Sequence, residues 1–189
     1  MRLRPHFLIL GLTALLAACA GNTERFAVNP PTVTEKIRIS FGAVEVRDVS
    51  LPSYAAADEI HLQTEEGQLT SSSAVLWADA PERAVALEIS QNLARLTGRR
   101  VASEPWPFEA YPDARLEVRF SELIATTTGA FRASGQYFVA VEKGAGRERS
   151  GLFDLDVAFD PEGGPTAIAA ARGQLILDLS SYVAKKGLK

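Results

Sequence analysis

A chain of 189 residues leaves room for one domain with a sizeable core, and 20 Lys+Arg against 23 Asp+Glu give it a formal charge of −3. That mildly acidic balance argues against a nucleic-acid partner, whose phosphates need a basic footprint. A single cysteine excludes an intramolecular disulfide and a cysteine-based metal cluster.

The first element ends at that cysteine. Arg2 and Arg4 make a short positive head, Phe7 to Leu16 an apolar run, and Ala17-Ala18 a small-residue exit. This order is that of a secretory signal peptide, and the run is too short for a bilayer span, which takes about 20 residues. Leu16-Ala17-Ala18-Cys19 resembles a bacterial lipobox, in which the thiol is lipidated and cleavage leaves the cysteine as residue one. The bland alternative is ordinary secretory cleavage beside a chance cysteine. Residues 1–18 are therefore expected to be a lipoprotein signal peptide and Cys19 the lipidation site. Several acyl chains, each buried CH₂ contributing about 0.8 kcal/mol, would make such an anchor effectively permanent. Ala20 replaces the aspartate that favours inner-membrane retention in bacterial lipoproteins, so the expected location is the outer membrane, facing the periplasm. Losing Arg2 and Arg4 takes the formal charge to −5 and leaves His61 as the one histidine, too few for an H-E-x-x-H site.

Residues 19–36 are polar and carry Asn29-Pro30-Pro31, which predicts an extended tether with a short edge strand at Phe26-Ala27-Val28. The body is expected over 37–189. Ile37, Ile39 and Phe41, then Val44 and Val46, alternate as in a strand. Leu51-Pro52-Ser53-Tyr54 interrupts it, Ile60 and Leu62 resume the alternation, and Gln68 to Trp77 reads as one further strand. Asp79 with Glu82 has the form of a capping box around Pro81, Val85, Ile89, Leu93 and Leu96 recur at helical spacing, and Gly98 stops a helix of about 80–97. Glu88, Gln91 and Arg95 are assigned to another face. Glu104-Pro105-Trp106-Pro107-Phe108 is an aromatic loop.

Three alternating runs follow, centred on Leu116–Phe120, Phe131–Val141 and Phe153–Phe159, with hairpin turns at Gly129 and at Gly144–Gly146. A second helix opens at Gly163-Gly164-Pro165 and runs to about Lys186. The fold class is α+β: two layers, a mainly antiparallel sheet with two amphipathic helices on one face.

Chemistry-bearing constellations are weak. Ser71–Ser73 and His61 lack a G-x-S-x-G elbow. Asp154 and Asp156 share one parity of a strand and do not converge on a calcium ion. Gly144-Ala145-Gly146 lacks the third glycine of a dinucleotide fingerprint. No catalytic residue, metal site or cofactor is therefore assigned. Trp77 and Trp106 can plug the ends of the core, or one can anchor a partner. The Leu51-Pro52-Ser53-Tyr54 loop divides the same way, with Tyr54 expected exposed.

In order along the chain, Phe26-Ala27-Val28, Val49-Ser50-Leu51-Pro52-Ser53-Tyr54, Leu76-Trp77-Ala78-Asp79 before the first helix, Asn92-Leu93, Pro105-Trp106, Leu116–Phe120, Gly151-Leu152-Phe153 and the final helix through Leu179 resemble the ABC-type transport auxiliary lipoproteins, the paraquat-inducible protein C-like family. The resemblance spans nearly all of the mature chain and rests on collinear order. It implies a non-enzymatic lipoprotein of the outer membrane that accompanies a lipid-transporting ABC system, docks onto the MCE-domain periplasmic protein of that system and assembles as a homo-oligomer. Leu51, Pro52, Tyr54 and Trp106 would then contact a neighbour. Two alternatives stay open: a stand-alone periplasmic lipid or small-molecule binder, and an envelope scaffold.

Overall fold

The computed structural model describes residues 23–142 and 146–189, so Cys19 and most of the Gly144–Gly146 turn lie outside the described residues. The longest strand, β7 (Ala114–Thr126), is the spine. Along one edge it pairs antiparallel with β8 (Ala130–Val141), which pairs antiparallel with β9 (Arg149–Ala158). Along its other edge two short strands lie end to end and parallel to it: β2 (Ala43–Val46) beside Ala114–Leu116 and β3 (Leu62–Gln63) beside Ala125–Thr126. Strand β6 (Arg100–Ser103) adds parallel to β2, and β4 (Leu69–Thr70) forms a hairpin with β3. The long ladders are antiparallel and the short ones, the β3–β4 hairpin apart, parallel, which gives the α+β class expected. Pattern alone does not reveal the parallel edge.

Helices α2 (Pro81–Thr97) and α3 (Gly164–Lys186) pack against each other and cover one face of the sheet; α1 (Ser53–Ala56) is a single turn. Val85, Ile89, Leu93 and Leu96 from α2, and Leu175, Leu179 and Val183 from α3, enter a core completed by Leu116, Val118, Phe120, Phe131, Tyr137 and Phe153. The opposite face is wet and laced with ion pairs such as Arg115–Glu45 and Arg132–Glu122, and Asp154 and Asp156 are exposed on it.

Helix α2 begins with Pro81 at its first position and ends on Gly98 in the left-handed region at φ 65°, where the amide of Gly98 donates to Ala94 O. The expected capping box does not form: the N-cap is Ala80, and Asp79 accepts from its own neighbour's amide and pairs with Arg83. Ile37, Ile39 and Phe41 are buried as their alternation requires, but they belong to no strand. Their stretch runs beside the helix ends, Ile37 N–H donating to Leu96 O and Ser40 N–H to Leu188 O. Gln68–Trp77 is two strands, β4 and β5 (Val75–Trp77), and β5 belongs to a separate two-stranded ribbon with β1 (Glu24–Phe26).

Candidate functional site

The polar segment expected to be a tether is docked from its first described residues. β1 pairs parallel with β5, placing Glu24 opposite Val75, and Arg25 donates to Trp77 O. Beyond it the chain crosses α3 at Gly173, where an added Cβ would lie 3.0 Å from Val28 Cγ1 and 3.2 Å from Asn29 O. A side chain there would crowd the crossing segment, which would have to give by a few tenths of an ångström. Further on, Glu35 pairs with Lys185 at 2.8 Å, which holds its carboxyl below the usual range, and Lys36 donates to Arg95 O. Residues 24–36 are therefore part of the body.

That path gives the body two ends. The chain enters where the β7–β8 hairpin, the β3–β4 hairpin and the start of α3 lie. It reaches the other end at Ser40 and Leu188, beside the start of β7. The 13 residues of β7 separate the two ends by about 40 Å at about 3.3 Å per residue.

The sequence-assigned residues fall in two places. Leu51 and Pro52 lead into α1, and Tyr54 is half-buried, packed against the core with its ring 6.4 Å from His61. Burial pushes its phenol above the ordinary value. The expected exposure of Tyr54 is thus corrected: α1 lays it against the core, where it lines a small cavity with Leu123, Ile124 and Phe131 near the C-terminal end of β7. Trp106 lies at the far end. Its Nε1 donates to Ala110 O at 2.7 Å and its ring meets Phe108 edge-on at 4.9 Å, while the Arg100 guanidinium sits 5.0 Å above Phe108. The 105–112 loop therefore folds back beside β6 and shields that edge strand. On it Phe108 is 44% and Tyr111 80% exposed. Tyr54 and Trp106 do not form one patch. Trp77, by contrast, is a core residue.

One constellation escaped sequence reasoning. Arg172 of α3 is 3% exposed, and its guanidinium bonds Glu88 Oε1 of α2 at 2.9 Å and stacks 4.5 Å from the Trp77 ring. Glu88 is not on the solvent face. Burial pushes its carboxyl above the usual carboxylate range, against the pull of Arg172, and lowers Arg172. Glu88 Oε2 and Arg172 Nε have no hydrogen-bond partner among the described residues. The pair floors a cleft of about 230 Å³ between the docked segment and α2. A signal was available: Arg172 shares the helical face of Ile168, Leu175 and Leu179, so a charge occupies an apolar position.

Among the described residues no cluster of three or more His, Cys, Asp or Glu is placed to hold a metal ion, and no helix is long and apolar enough to cross a membrane. His61 Nδ1 lies 3.1 Å from Glu59 O.

A family model described as ABC-type transport auxiliary lipoprotein component matches residues 26–184. No curated protein matches the chain by sequence. Among solved structures, an uncharacterized protein aligns with TM-score 0.66 and 19% identity over 86% of this chain and 98% of its own. Protein XCC0632 from Xanthomonas campestris, of family DUF330, aligns with TM-score 0.64 and 12% identity over 85% and 92%. At these identities the likeness establishes the fold. PelC from Paraburkholderia phytofirmans, a dodecamer, aligns with TM-score 0.43 and 11% identity over 79% and 91%, too remote to bear on this chain's assembly.

Proposed function

The chain belongs to the family of ABC-type transport auxiliary lipoprotein components, and from that membership we propose that it is a non-enzymatic, lipid-anchored adaptor of the outer membrane, facing the periplasm, that docks onto the MCE-domain protein of a lipid-transporting ABC system. The observation that carries this reading is the two-ended layout. Cys19 precedes the end at which the chain enters the body, and the exposed aromatics Phe108 and Tyr111 stand at the opposite end beside Trp106. Aromatic side chains dominate interface energetics, and a loop braced by its own hydrogen bond and an edge-on ring contact loses little entropy on docking.

The proposed partner-binding surface is centred on Trp106, with Leu51, Pro52 and Tyr54 forming a separate place on the body, and a homo-oligomer would present several such loops together. Trp106→Ala and Tyr111→Ala are expected to lower co-purification of the MCE-domain protein from solubilised membranes about tenfold or more, as befits centrally placed aromatics. Full recovery by both variants, folded as the wild type, refutes the docking surface. Loss of lipid labelling in Cys19→Ser is the expected result for the anchor, and unchanged labelling refutes it.

A further inference from the structure

At the entry end, opposite the aromatic loop, a groove of about 370 Å³ opens between the β3–β5 region and the start of α3. Ile60, Leu62, Val75, Phe159, Pro165 and Ile168 give it an apolar lining, and its volume lies in the range of about 300–1,000 Å³ typical of small-molecule pockets. Glu162 is the one charged side chain among its lining residues.

We propose that this groove seats an acyl chain of the protein's own Cys19 anchor, an inference that rests on the lipidation reading above. The first argument is reach. Glu24 N–H donates to Ala74 O at 2.8 Å, and Ala74 sits between Ser72 and Val75, both of which line the groove. Cys19 precedes Glu24 by five residues, which span at most about 18 Å when extended. A chain on the Cys19 sulfur is therefore within reach of the mouth of the groove, and so short a covalent link would present it there at an effective concentration of about millimolar. The second argument is charge. No Lys or Arg lines the groove to pair with a phosphate, and Glu162 would repel one. A thioether-linked glyceryl chain carries no phosphate and escapes that repulsion, whereas a bilayer phospholipid does not.

Moving one chain of several from bilayer to groove exchanges one apolar surrounding for another, so the remaining chains keep the hold on the membrane. What the seat adds is orientation: the entry end lies against the bilayer and the aromatic loop points away from it.

The test uses the full-length protein in its native membranes, with p-benzoylphenylalanine placed at Leu62 or at the exposed groove residue Thr127, and at Ala140 on the far end of the sheet as control. After photolysis the expected product is a link between the groove peptide and the acylated Cys19 peptide at unchanged intact mass, about tenfold more abundant than at the control. An intact mass raised by one phospholipid makes a bilayer lipid the occupant and overturns the inference. So does an acylated Cys19 with no lipid link at either groove position. An intact mass that shows Cys19 unacylated overturns the lipidation reading itself, a different failure.

Discussion

At the scale of single residues, the pairing of Arg172 with Glu88 carries the sharpest predictions. Removing one partner strands a buried charge, so Arg172→Met is expected to lower stability by about 3–5 kcal/mol, while the double variant with Glu88→Leu recovers most of that loss. Chemical denaturation of the four species in a double-mutant cycle measures it. The pair also leaves a pH signature. Burial raises the Glu88 carboxyl in the folded state, so the folded protein holds that proton more tightly than the unfolded chain. The resulting stability is complete below the ordinary glutamate value of about 4.3 and is lost as pH rises through the higher folded value. The Tm of the wild type relative to Glu88→Gln is therefore expected to fall as pH rises from about 4 to about 8. Gly173 is the second position where one atom decides. Gly173→Val would drive methyls into Val28 and Asn29, at a cost of about 1–3 kcal/mol if the segment stays seated. Faster hydrogen exchange across residues 24–36, with the β7–β8 ladder still protected, is the expected reading.

At the scale of elements, the stretches proposed to carry partner contacts are those with the least regular structure. The 105–112 loop is held by the indole hydrogen bond, by the edge-on contact of Trp106 with Phe108 and by the Arg100 guanidinium over Phe108. Tyr111, at 80% exposure, has no such support. Tyr111→Ala is therefore expected to leave stability within about 0.5 kcal/mol of the wild type while weakening partner capture. Trp106→Ala should lower both. Thermal melts alongside co-purification separate the two effects. Helix α1 shows the converse case. Ser53–Ala56 is a single turn, yet it packs Tyr54 against the core, so a position that looks like an exposed docking residue serves the body's packing as well.

At the scale of the whole molecule, the spine of β7 fixes the distance between the entry end and the aromatic loop at about 40 Å. Under the proposed anchoring at Cys19, five residues before Glu24, that distance becomes a height above the membrane. With dyes at Glu66→Cys in the β3–β4 hairpin and at Glu109→Cys in the aromatic loop, a headgroup quencher in proteoliposomes is expected to quench the first strongly and the second weakly. Equal quenching would mean that the body has no fixed orientation, and the separation of an anchoring end from a docking end would lose its basis.

The amino-acid sequence by itself determined what depends on neighbours along the chain. The alternation of Leu116, Val118 and Phe120 with arginine and glutamate set one face of β7 inward, and the period of Val85, Ile89 and Leu93 with Gly98 behind it set α2 and its end. Composition and the Leu16–Cys19 stretch carried the anchor hypothesis, because a processing signal is read as linear text. Only the tertiary structure decided the rest. Ile37–Phe41 alternate like a strand but rest on helix ends, since burying every second residue satisfies the pattern without any ladder partner. β2, β3 and β6 run parallel to β7 because the hydrogen bonds that choose direction join residues far apart in sequence, on which local pattern is silent. The Arg172–Glu88–Trp77 group and the crossing at Gly173 exist only once two helices and an entering segment meet, and no spacing within one helix encodes a contact with another.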